Sequence, residues 1–167
     1  MKIRMFSPAD SEAIISWISS EEEMFKWATD RLGLFPAAPD TLARYYAQYD
    51  DGSHIPITAY NEYDEVEGHI LIRFPDKDDD KTVRFGFVIV DPKLRGKGMG
   101  KELLRLAIDY ARVVLNVNKI TIGVFENNPS ALNCYKNSGF KEVSRSEMDS
   151  PIGKLTLVEM EQVFGTV

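Results

Sequence analysis

Positive charge and glycine are concentrated in residues 90–104, which read VDPKLRGKGMGKELL, although the 167-residue chain has a formal net charge of −6. Four cationic side chains lie within nine residues of this stretch, at Lys93, Arg95, Lys97 and Lys101. Three glycines, at positions 96, 98 and 100, alternate just before a run with helical periodicity. A helix N-terminus attracts anions through its unpaired N–H groups, and glycine allows close approach of the backbone. These residues therefore predict a phosphate-binding loop between a strand and a helix.

Two well-known phosphate loops do not fit this spacing. The P-loop requires G-x-x-x-x-G-K-[ST], but Arg95 stands five positions before Gly100, and Glu102 follows Lys101. The dinucleotide-binding fingerprint requires G-x-G-x-x-G after an opening strand, whereas this loop reads G-x-G-x-G after a late one. Taken alone, the loop would also be compatible with a flexible basic segment.

A second group of polar residues follows the next predicted strand, in the stretch NNPSALNCYKNSGF at 127–140. Asn128 is placed to cap a helix that begins at Pro129, and Gly139 follows the end of that helix. Tyr135 lies seven residues after Asn128, about two turns along the same helix face. Capping alone would explain Asn128, and core packing alone would explain Tyr135.

Together, the two stretches resemble the GNAT N-acetyltransferase family, and within it the RimI/RimJ/RimL-like members. The first hallmark is R-x-x-G-x-G at 95–100, and the second is N-x-x-A-x-x-x-Y at 128–135 followed by GF. The resemblance is strong over 82–140, whereas 1–81 and 141–167 match only in the order of their elements. It implies an acyl-CoA N-acyltransferase fold of the α/β (α+β) class, with a mixed central β-sheet flanked by helices and a parallel βαβ core.

The resemblance also implies acetyl-CoA as cosubstrate, with its arm inserted between two splayed parallel strands. Backbone groups of Val88, Ile89 and Val90 would pair with this arm, although ordinary ladder partners are expected for at least one of them. The pyrophosphate would be held by the N–H groups of the loop, at Arg95, Gly96, Lys97, Gly98, Met99, Gly100 and Lys101. Lys97 or Lys101 would reach the 3′-phosphate, and Asn128 would contact the arm.

In the family, the tyrosine that corresponds to Tyr135 lies near the thioester sulfur and acts as general acid. A phenol titrates near ~10 and a thiol near ~8.5, so complete proton transfer to a thiolate is uphill by about 2 kcal/mol. A hydrogen bond that strengthens as charge develops on the sulfur fits these values better than complete transfer.

The acceptor that the resemblance implies is a primary amine that attacks directly, without an acyl-enzyme. An amine with a pKa near ~10.4 needs about 4.6 kcal/mol to become neutral at pH 7. Many members of the family place a glutamate on the strand before the loop, but Arg84 occupies that position here, two residues before Gly86. Glu126, Asp91 and a water chain are the alternatives for the base.

The segment EEEMFKW at 21–27 suggests where the acceptor enters. In this family the corresponding helical segment walls the acceptor site, so Phe25 and Trp27 would line a pocket that receives a cation. Core packing is the alternative for both aromatic residues. The acidic balance of the chain is compatible with a cationic acceptor and disfavours nucleic acid as a partner.

The remaining cysteine and histidines have no predicted catalytic role. Cys134 is the single cysteine, and a covalent role for it would require a nearby base. His54 and His69 both lie in a predicted antiparallel region and lack the spacing of metal ligands. We therefore predict a structural cysteine and no metal.

Periodicity places these groups on a mixed set of elements. The predicted strands are 2–6, 54–60, 66–74, 82–90, 119–125, 141–148 and 155–163. The predicted helices begin near Ser7, cover 22–28, 41–49 and 101–115, and start again at Pro129. Residues 54–90 should form an antiparallel meander, 82–90 should run parallel to 119–125, and 119–125 should be buried on both faces.

Length and composition indicate a single N-acetyltransferase domain over 1–167, with 44% hydrophobic and 28% charged residues. No apolar run approaches the ~20 residues of a membrane span, and the first residues do not resemble a signal peptide, so we expect a cytoplasmic protein without membrane contact. A homodimer is left open. The alternative functions are an acyl-CoA-binding regulatory or sensor domain without catalysis, and a phosphate binder unrelated to CoA.

Overall fold

One seven-stranded mixed sheet runs through the computed structural model, which describes residues 1–165. In chain order the strands are β1 (Lys2–Met5), β2 (His54–Tyr60), β3 (Val66–Arg73), β4 (Thr82–Val90), β5 (Lys119–Phe125), β6 (Lys141–Ser150) and β7 (Gly153–Val163). The helices are α1 (Ser11–Ser16), α2 (Glu21–Ala28), α3 (Thr41–Tyr46), α4 (Met99–Val113) and α5 (Pro129–Asn137).

The sheet combines an antiparallel meander with one parallel pair. Strands β1 to β4 pair antiparallel with their neighbours in sequence, and β4 then pairs parallel with β5 through the α4 crossover. β7 inserts between β5 and β6 and is antiparallel to both. The predicted meander and the predicted parallel βαβ unit are both confirmed.

Helices cover both faces of the sheet, and β3 shows how its residues alternate between them. Ile70 and Ile72 are fully buried in the same cluster as Leu103 of α4. Leu71, between them, points the other way and packs with Ile14 of α1 and Leu42 of α3. Burial of side chains of this size contributes about 1.5–3 kcal/mol each, so two apolar clusters hold the sheet in place.

Two predicted helices have different ends in the structure. α4 begins at Met99, not at 101, because Gly98 adopts a left-handed φ of +78° and forms its N-cap. The helix ends at Val113 and not at 115, and Val114, which follows the helix end, is 61% exposed. α3 ends at Tyr46, and Tyr49 instead stacks on His54 with the ring centroids 3.6 Å apart.

The prediction that β5 is buried on both faces is wrong for one of them. Its core face is buried, at Ile120, Ile122 and Val124, whereas Thr121 and Gly123 on the other face are half-buried. A side chain from β4 lies over this second face, since a Cβ on Gly123 would come within 2.7 Å of Arg84 Nη2. Polar side chains, and not a helix, therefore cover this part of the sheet.

Candidate active site

The parallel strands β4 and β5 separate part-way along their length. Their pairing covers 82–85 with 119–122 only, although β4 continues to Val90 and β5 to Phe125. The register of β3 and β4 shifts at the same level, and Phe87 there has a φ of +50°. A bulge with such a residue redirects a strand. The free ends of β4 and β5 thus form the two sides of a gap, as predicted.

Backbone groups of β4 line one side of this gap. The Asp91 N–H donates to Glu67 O at 2.9 Å, and Ile89 pairs with His69 in the register of β3 and β4. Because successive strand residues direct their N–H and C=O groups to opposite edges, Val88 and Val90 face the gap. Ile89 faces β3, so the predicted backbone contact of Ile89 with a ligand is not supported.

The loop between β4 and α4 holds a row of free N–H groups. Gly96 and Gly98 have φ values of +74° and +78°, and the first helical hydrogen bond runs from the Glu102 N–H to Gly98 O. Within residues 1–165, the N–H groups of 96–101 have no acceptor. The Arg95 N–H instead donates to Pro92 O at 3.3 Å, so the predicted contact of this N–H group with a phosphate is not supported. The positive end of the α4 dipole lies at the same point. This geometry suits an anion, which is the chemistry predicted for the loop.

The cationic side chains of the loop are exposed around this row. Arg95 Nη1 lies 3.9 Å from Glu23 Oε1 of α2, which links the loop to the helical layer. Lys97 and Lys101 form no ion pair in the described part of the chain. Lys101 also borders a second groove of about 370 Å³ along α4. Both lysines are therefore available to a phosphate group.

One cavity of about 650 Å³ joins the loop to the gap and to α5. Gly96 and Gly98 lie in its wall at one end, and Asn128 and Tyr135 lie beside the gap. The Asn128 Oδ1 accepts a hydrogen bond from the Ala131 N–H at 3.3 Å, so the predicted cap is present. The Asn128 amide nitrogen has no hydrogen-bond acceptor among residues 1–165, so it is available to donate to a ligand.

Tyr135 contributes a hydroxyl group to the cavity wall. The side chain is 7% exposed, its ring lies 6.3 Å from that of Phe140, and its hydroxyl has no hydrogen-bond partner among the described residues. Burial, together with the adjacent Cys134, raises the pKa of this phenol above its ordinary value. The hydroxyl therefore stays protonated near neutral pH and can donate a hydrogen bond into the cavity.

Cys134 also lines the cavity, close to the start of α4. A Cβ on Gly100 would lie 3.4 Å from its Sγ atom. Burial raises the pKa of the Cys134 thiol, although Ser138 and Lys101 act in the opposite direction. Since the thiolate is the nucleophilic form, this environment fits the structural role that the sequence predicts.

Neither carboxylate predicted as a base lies in the cavity wall. Glu126 forms an ion pair with Arg145 of β6, and Asp91 Oδ1 accepts a hydrogen bond from the Lys93 N–H at 2.9 Å. The structure therefore does not support either residue as the base, because Glu126 is exposed and engaged by Arg145, and Asp91 caps the turn at 92–94.

Glu23 is the carboxylate that does line the cavity, as far as residues 1–165 show. Its Oε2 atom accepts hydrogen bonds from the Ser19 N–H and hydroxyl, at 2.8 and 2.7 Å, which lower its pKa. Glu22 pairs with Lys26 at 2.6 Å. The acidic residues at 21–23 are thus largely engaged by partners within and beside α2. They provide no strong base, so a chain of water molecules is the remaining route for the proton that the amine must lose.

The two aromatic residues of α2 have different surroundings. Trp27 lines the cavity, with its ring 5.4 Å from that of Phe87. Phe25 is buried outside the cavity and stacks on Phe125 at a centroid distance of 6.0 Å. The predicted acceptor wall therefore includes Trp27, whereas core packing explains Phe25.

The part of the cavity beside the first residues of β4 is lined by Arg31, Arg73 and Arg84, and we call it the arginine end. Arg84 makes two hydrogen bonds with Glu159 of β7, at 2.8 and 3.0 Å. Sequence reasoning noticed Arg84 but missed the other two arginines and Glu159. The position of Arg73 could have been predicted from the sequence, because the hairpin around the acidic turn at 76–80 places Arg73 opposite Arg84.

Residues 1–165 contain neither a candidate metal site nor a helix that could span a membrane. No group of three or more His, Cys, Asp or Glu side chains there could hold a metal ion. None of the helices in that range is both long enough and apolar enough to cross a bilayer.

Comparison with known proteins connects this geometry to a family. The profile of the Acetyltransferase (GNAT) family matches residues 15–140. The chain belongs to the GNAT acetyltransferase family. Its fold is similar to the crystal structure of spermidine N-acetyltransferase from Vibrio cholerae in complex with CoA and spermine, with a TM-score of 0.83 and 20% identity. That match covers 99% of this GNAT chain and 96% of the other, which confirms the predicted fold class.

Curated GNAT relatives match over shorter segments. An N-acetyltransferase 9-like protein from Nematostella vectensis is 32% identical over 88 residues, which cover 53% of this chain and 44% of the relative. A spermine/spermidine N(1)-acetyltransferase from Bacillus subtilis is 30% identical over 89 residues, covering 52% of this chain and 59% of the relative. The chain spans about half the length of the curated relatives it matches.

Proposed function

We propose that this protein transfers an acetyl group from acetyl-CoA to a primary amine. The observation that carries the proposal is the single cavity that joins free loop N–H groups, the gap between β4 and β5 and the Tyr135 hydroxyl. The names of the relatives, which are N-acetyltransferases, support the same reaction. Acetyl-CoA supplies a thioester whose acetyl group is activated toward an amine.

The chain offers acetyl-CoA three kinds of contact. The loop N–H groups at 96–101 would hold the pyrophosphate, with Lys97 or Lys101 near the 3′-phosphate. The backbone groups of Val88 and Val90 would pair with the amides of the arm, as a neighbouring strand would. Asn128 would add a donor from its side-chain amide.

Tyr135 would stabilise the departing sulfur. Its hydroxyl has no partner among residues 1–165, and burial keeps it protonated by raising its pKa. A raised phenol pKa makes complete proton transfer to a thiolate less favourable, so Tyr135 acts by donating a hydrogen bond. This donation strengthens as negative charge develops, which makes it an interaction of the transition state.

Removal from water would help to produce a neutral amine without a protein base. Burial disfavours an ammonium ion and therefore lowers the pKa of a bound amine. The apolar part of the cavity wall, which includes Trp27 and Phe87, would provide this effect. The released proton would leave through water, since Glu126 and Asp91 lie outside the cavity.

Further features of the proposed function follow from the relatives and from Cys134. The spermidine and spermine enzymes among the relatives support a cationic acceptor, and no relative reported above supports a RimI/RimJ/RimL-like subtype. Direct attack is supported by the raised pKa of Cys134, which disfavours an acyl-cysteine. A single domain over 1–167, a cytoplasmic location and a homodimer stay predictions.

A panel of primary amines tests the proposal. Purified protein is incubated with acetyl-CoA and each amine, and free thiol and acetylated amine are both measured. We expect at least one amine to release thiol well above the rate without amine. Tight binding of acetyl-CoA with no turnover of any amine would instead favour the sensor alternative.

A further inference from the structure

The arginine end is built by the register of the sheet. Arg73 of β3 and Arg84 of β4 are direct partners on adjacent antiparallel strands, so their side chains stand on the same face. Arg31 reaches the same part of the cavity from the segment after α2. Three guanidinium groups thus converge on one part of a cavity whose loop N–H groups bind the phosphates in the proposed function.

Two of these three charges, those of exposed Arg31 and half-buried Arg73, have no carboxylate partner among residues 1–165. Arg84 is paired with Glu159, and the two side chains are 24% and 29% exposed. No carboxylate among residues 1–165 comes within 4.0 Å of a nitrogen of Arg31 or Arg73. Arg73 is half-buried, so water screens it less than a surface arginine.

A further observation agrees with a missing anion beside Arg73. Burial and the like charges of Arg31 and Arg84 lower the pKa of Arg73, as expected for a guanidinium without a carboxylate partner. An arginine side chain only donates hydrogen bonds, so an anion bound at this end of the cavity would supply the acceptor.

We infer that the acceptor amine carries a carboxylate or a comparable oxyanion, which Arg73 and Arg31 bind at the arginine end while the amine faces the gap. This inference rests on the proposed function and names the substrate class of the same site. A guanidinium binds carboxylate and phosphonate groups through two parallel hydrogen bonds, so the anion could be of either kind.

A polyamine would meet this wall less favourably. Each additional ammonium group of such an acceptor would approach guanidinium groups, and like charges at short range repel. Glu159 is the carboxylate paired with this end of the cavity, but both of its oxygens already accept hydrogen bonds from Arg84. The wall therefore favours an acceptor with one amine and one anion over an acceptor with several amines.

A matched set of acceptors separates these classes. It contains glycine, β-alanine, α-amino acids with longer side chains, the amide of each, aminomethylphosphonate and spermidine, all at saturating acetyl-CoA. We expect kcat/KM for the best amino carboxylate or phosphonate to exceed that for its uncharged counterpart and for spermidine at least tenfold. Equal values for acids and amides, or spermidine as the best acceptor, would overturn the inference.

Arg73→Gln tests the residue that carries the inference. We expect KM for the anionic acceptor to rise at least tenfold, while KM for the amide and the affinity for acetyl-CoA change less than threefold. Arg44→Gln is the control, because Arg44 is exposed and pairs with Asp40 at 3.1 Å. An equal loss for the acid and the amide would show a merely structural role and contradict the inference.

Glu159→Gln gives opposite results for the two substrate classes. The substitution removes the carboxylate that engages Arg84, so binding of an anionic acceptor should strengthen about threefold, whereas binding of a polyamine should weaken. Glu161→Gln is the matched control, since Glu161 lies on the same strand with the same 29% exposure and pairs with Lys119 at 2.9 Å. Weaker binding of the anionic acceptor in Glu159→Gln would count against the inference.

Thermal unfolding keeps the inference testable if no amine is acetylated. That result would reject the proposed function, but the anionic amines should still raise the Tm of the wild type and leave the Tm of Arg73→Gln unchanged. Unliganded Arg73→Gln should be at least as stable as the wild type, because Arg73 has no carboxylate partner to lose among residues 1–165. Absence of any ligand-dependent shift in the wild type would overturn the inference.

Discussion

The Tyr135 hydroxyl is the group on which catalysis depends most in this account. It lies in the wall of the cavity, its ring is held by Phe140, and burial maintains its proton. These properties suit a hydrogen-bond donor to a sulfur that gains charge. They do not suit a group that transfers its proton completely, since its raised pKa makes that step more unfavourable.

Tyr135→Phe is expected to lower kcat and kcat/KM together by about 10- to 100-fold, the low end of what a positioned acid contributes. The affinity for acetyl-CoA should change less than threefold, because the ring and its packing are retained. Steady-state kinetics and calorimetry measure the two quantities. Full turnover in the variant would make Tyr135 a packing residue.

Cys134→Ser is the matched control one residue away. Its thiol lines the same cavity, but burial raises its pKa and disfavours the nucleophilic thiolate. We therefore expect kcat within threefold of the wild type. Loss of activity in this variant, with intact acetyl-CoA binding, would point to an acyl-cysteine route.

At the scale of elements, the phosphate site depends on the backbone at the start of α4. Gly98 has a φ of +78° with nothing within 4 Å of its Cβ position, so a side chain there would be strained by conformation and not by a clash. The row of N–H groups depends on that conformation.

Gly98→Val is expected to weaken acetyl-CoA binding at least tenfold, or about 1.4 kcal/mol, because relief of the strain would turn the loop N–H groups away. Gly33→Val is the control: Gly33 has a φ of +82° and open space around it, but it lies outside the cavity. Calorimetry compares the two variants. Equal losses in both would mean that general destabilisation, and not the loop, is responsible.

Local patterns allowed the loop, the cap at Asn128 and the pair of parallel strands to be predicted from sequence. Glycine spacing, capping residues and strand periodicity act over a few positions, so they are visible without the fold. The ends of α3 and α4 were harder to place, since the conformation of Gly98 and the stacking of Tyr49 on His54 decide them.

The arginine end and the absence of a base depend on contacts between distant residues. Glu159 meets Arg84 across Gly123 only because β7 inserts beside β5. The sequences of the individual strands do not indicate that β7 takes this position in the sheet. Glu126 appeared available at a strand end, but Arg145 of β6 engages it. Charge balance in the cavity therefore becomes visible only with the sheet order.

The molecule as a whole contains a buried polar cluster on the side opposite to α4. Asp10 is 4% exposed and accepts hydrogen bonds from Arg4 at 2.7 and 2.9 Å and from Thr58 at 2.8 Å. Burial alone would raise the pKa of Asp10, but these bonds outweigh it and hold the pKa below its ordinary value. His69, nearby, is fully buried, and its Nε2 lies 2.7 Å from the Tyr46 hydroxyl.

Acid is expected to destabilise the fold through both groups. Burial lowers the pKa of His69 from 6.5 to about 3, so below pH 6.5 the unfolded chain takes up a proton that the folded chain does not. Stability should fall by up to about 1.4 kcal/mol per pH unit there. The stability that Asp10 contributes is present above its unfolded pKa of 3.8 and is lost as pH falls through its lower folded value.

Urea unfolding between pH 7 and pH 4 measures this dependence. The side-chain amide of His69→Gln can form a hydrogen bond with the Tyr46 hydroxyl in either direction but does not titrate. The stability of this variant should therefore depend less on pH between 6.5 and 4 than that of the wild type. An unchanged slope in the variant would show that His69 is not the group responsible.

A labelled acetyl group shows whether this protein transfers acetyl directly from acetyl-CoA to an amine. An excess of protein is mixed with acetyl-labelled acetyl-CoA and an amine acceptor, quenched over a series of times, and separated into protein, amine and CoA. We expect label to pass from acetyl-CoA to the amine, with one thiol released for each amine acetylated and no label on the protein. Label on the protein, or thiol release without labelled amine, would contradict direct transfer.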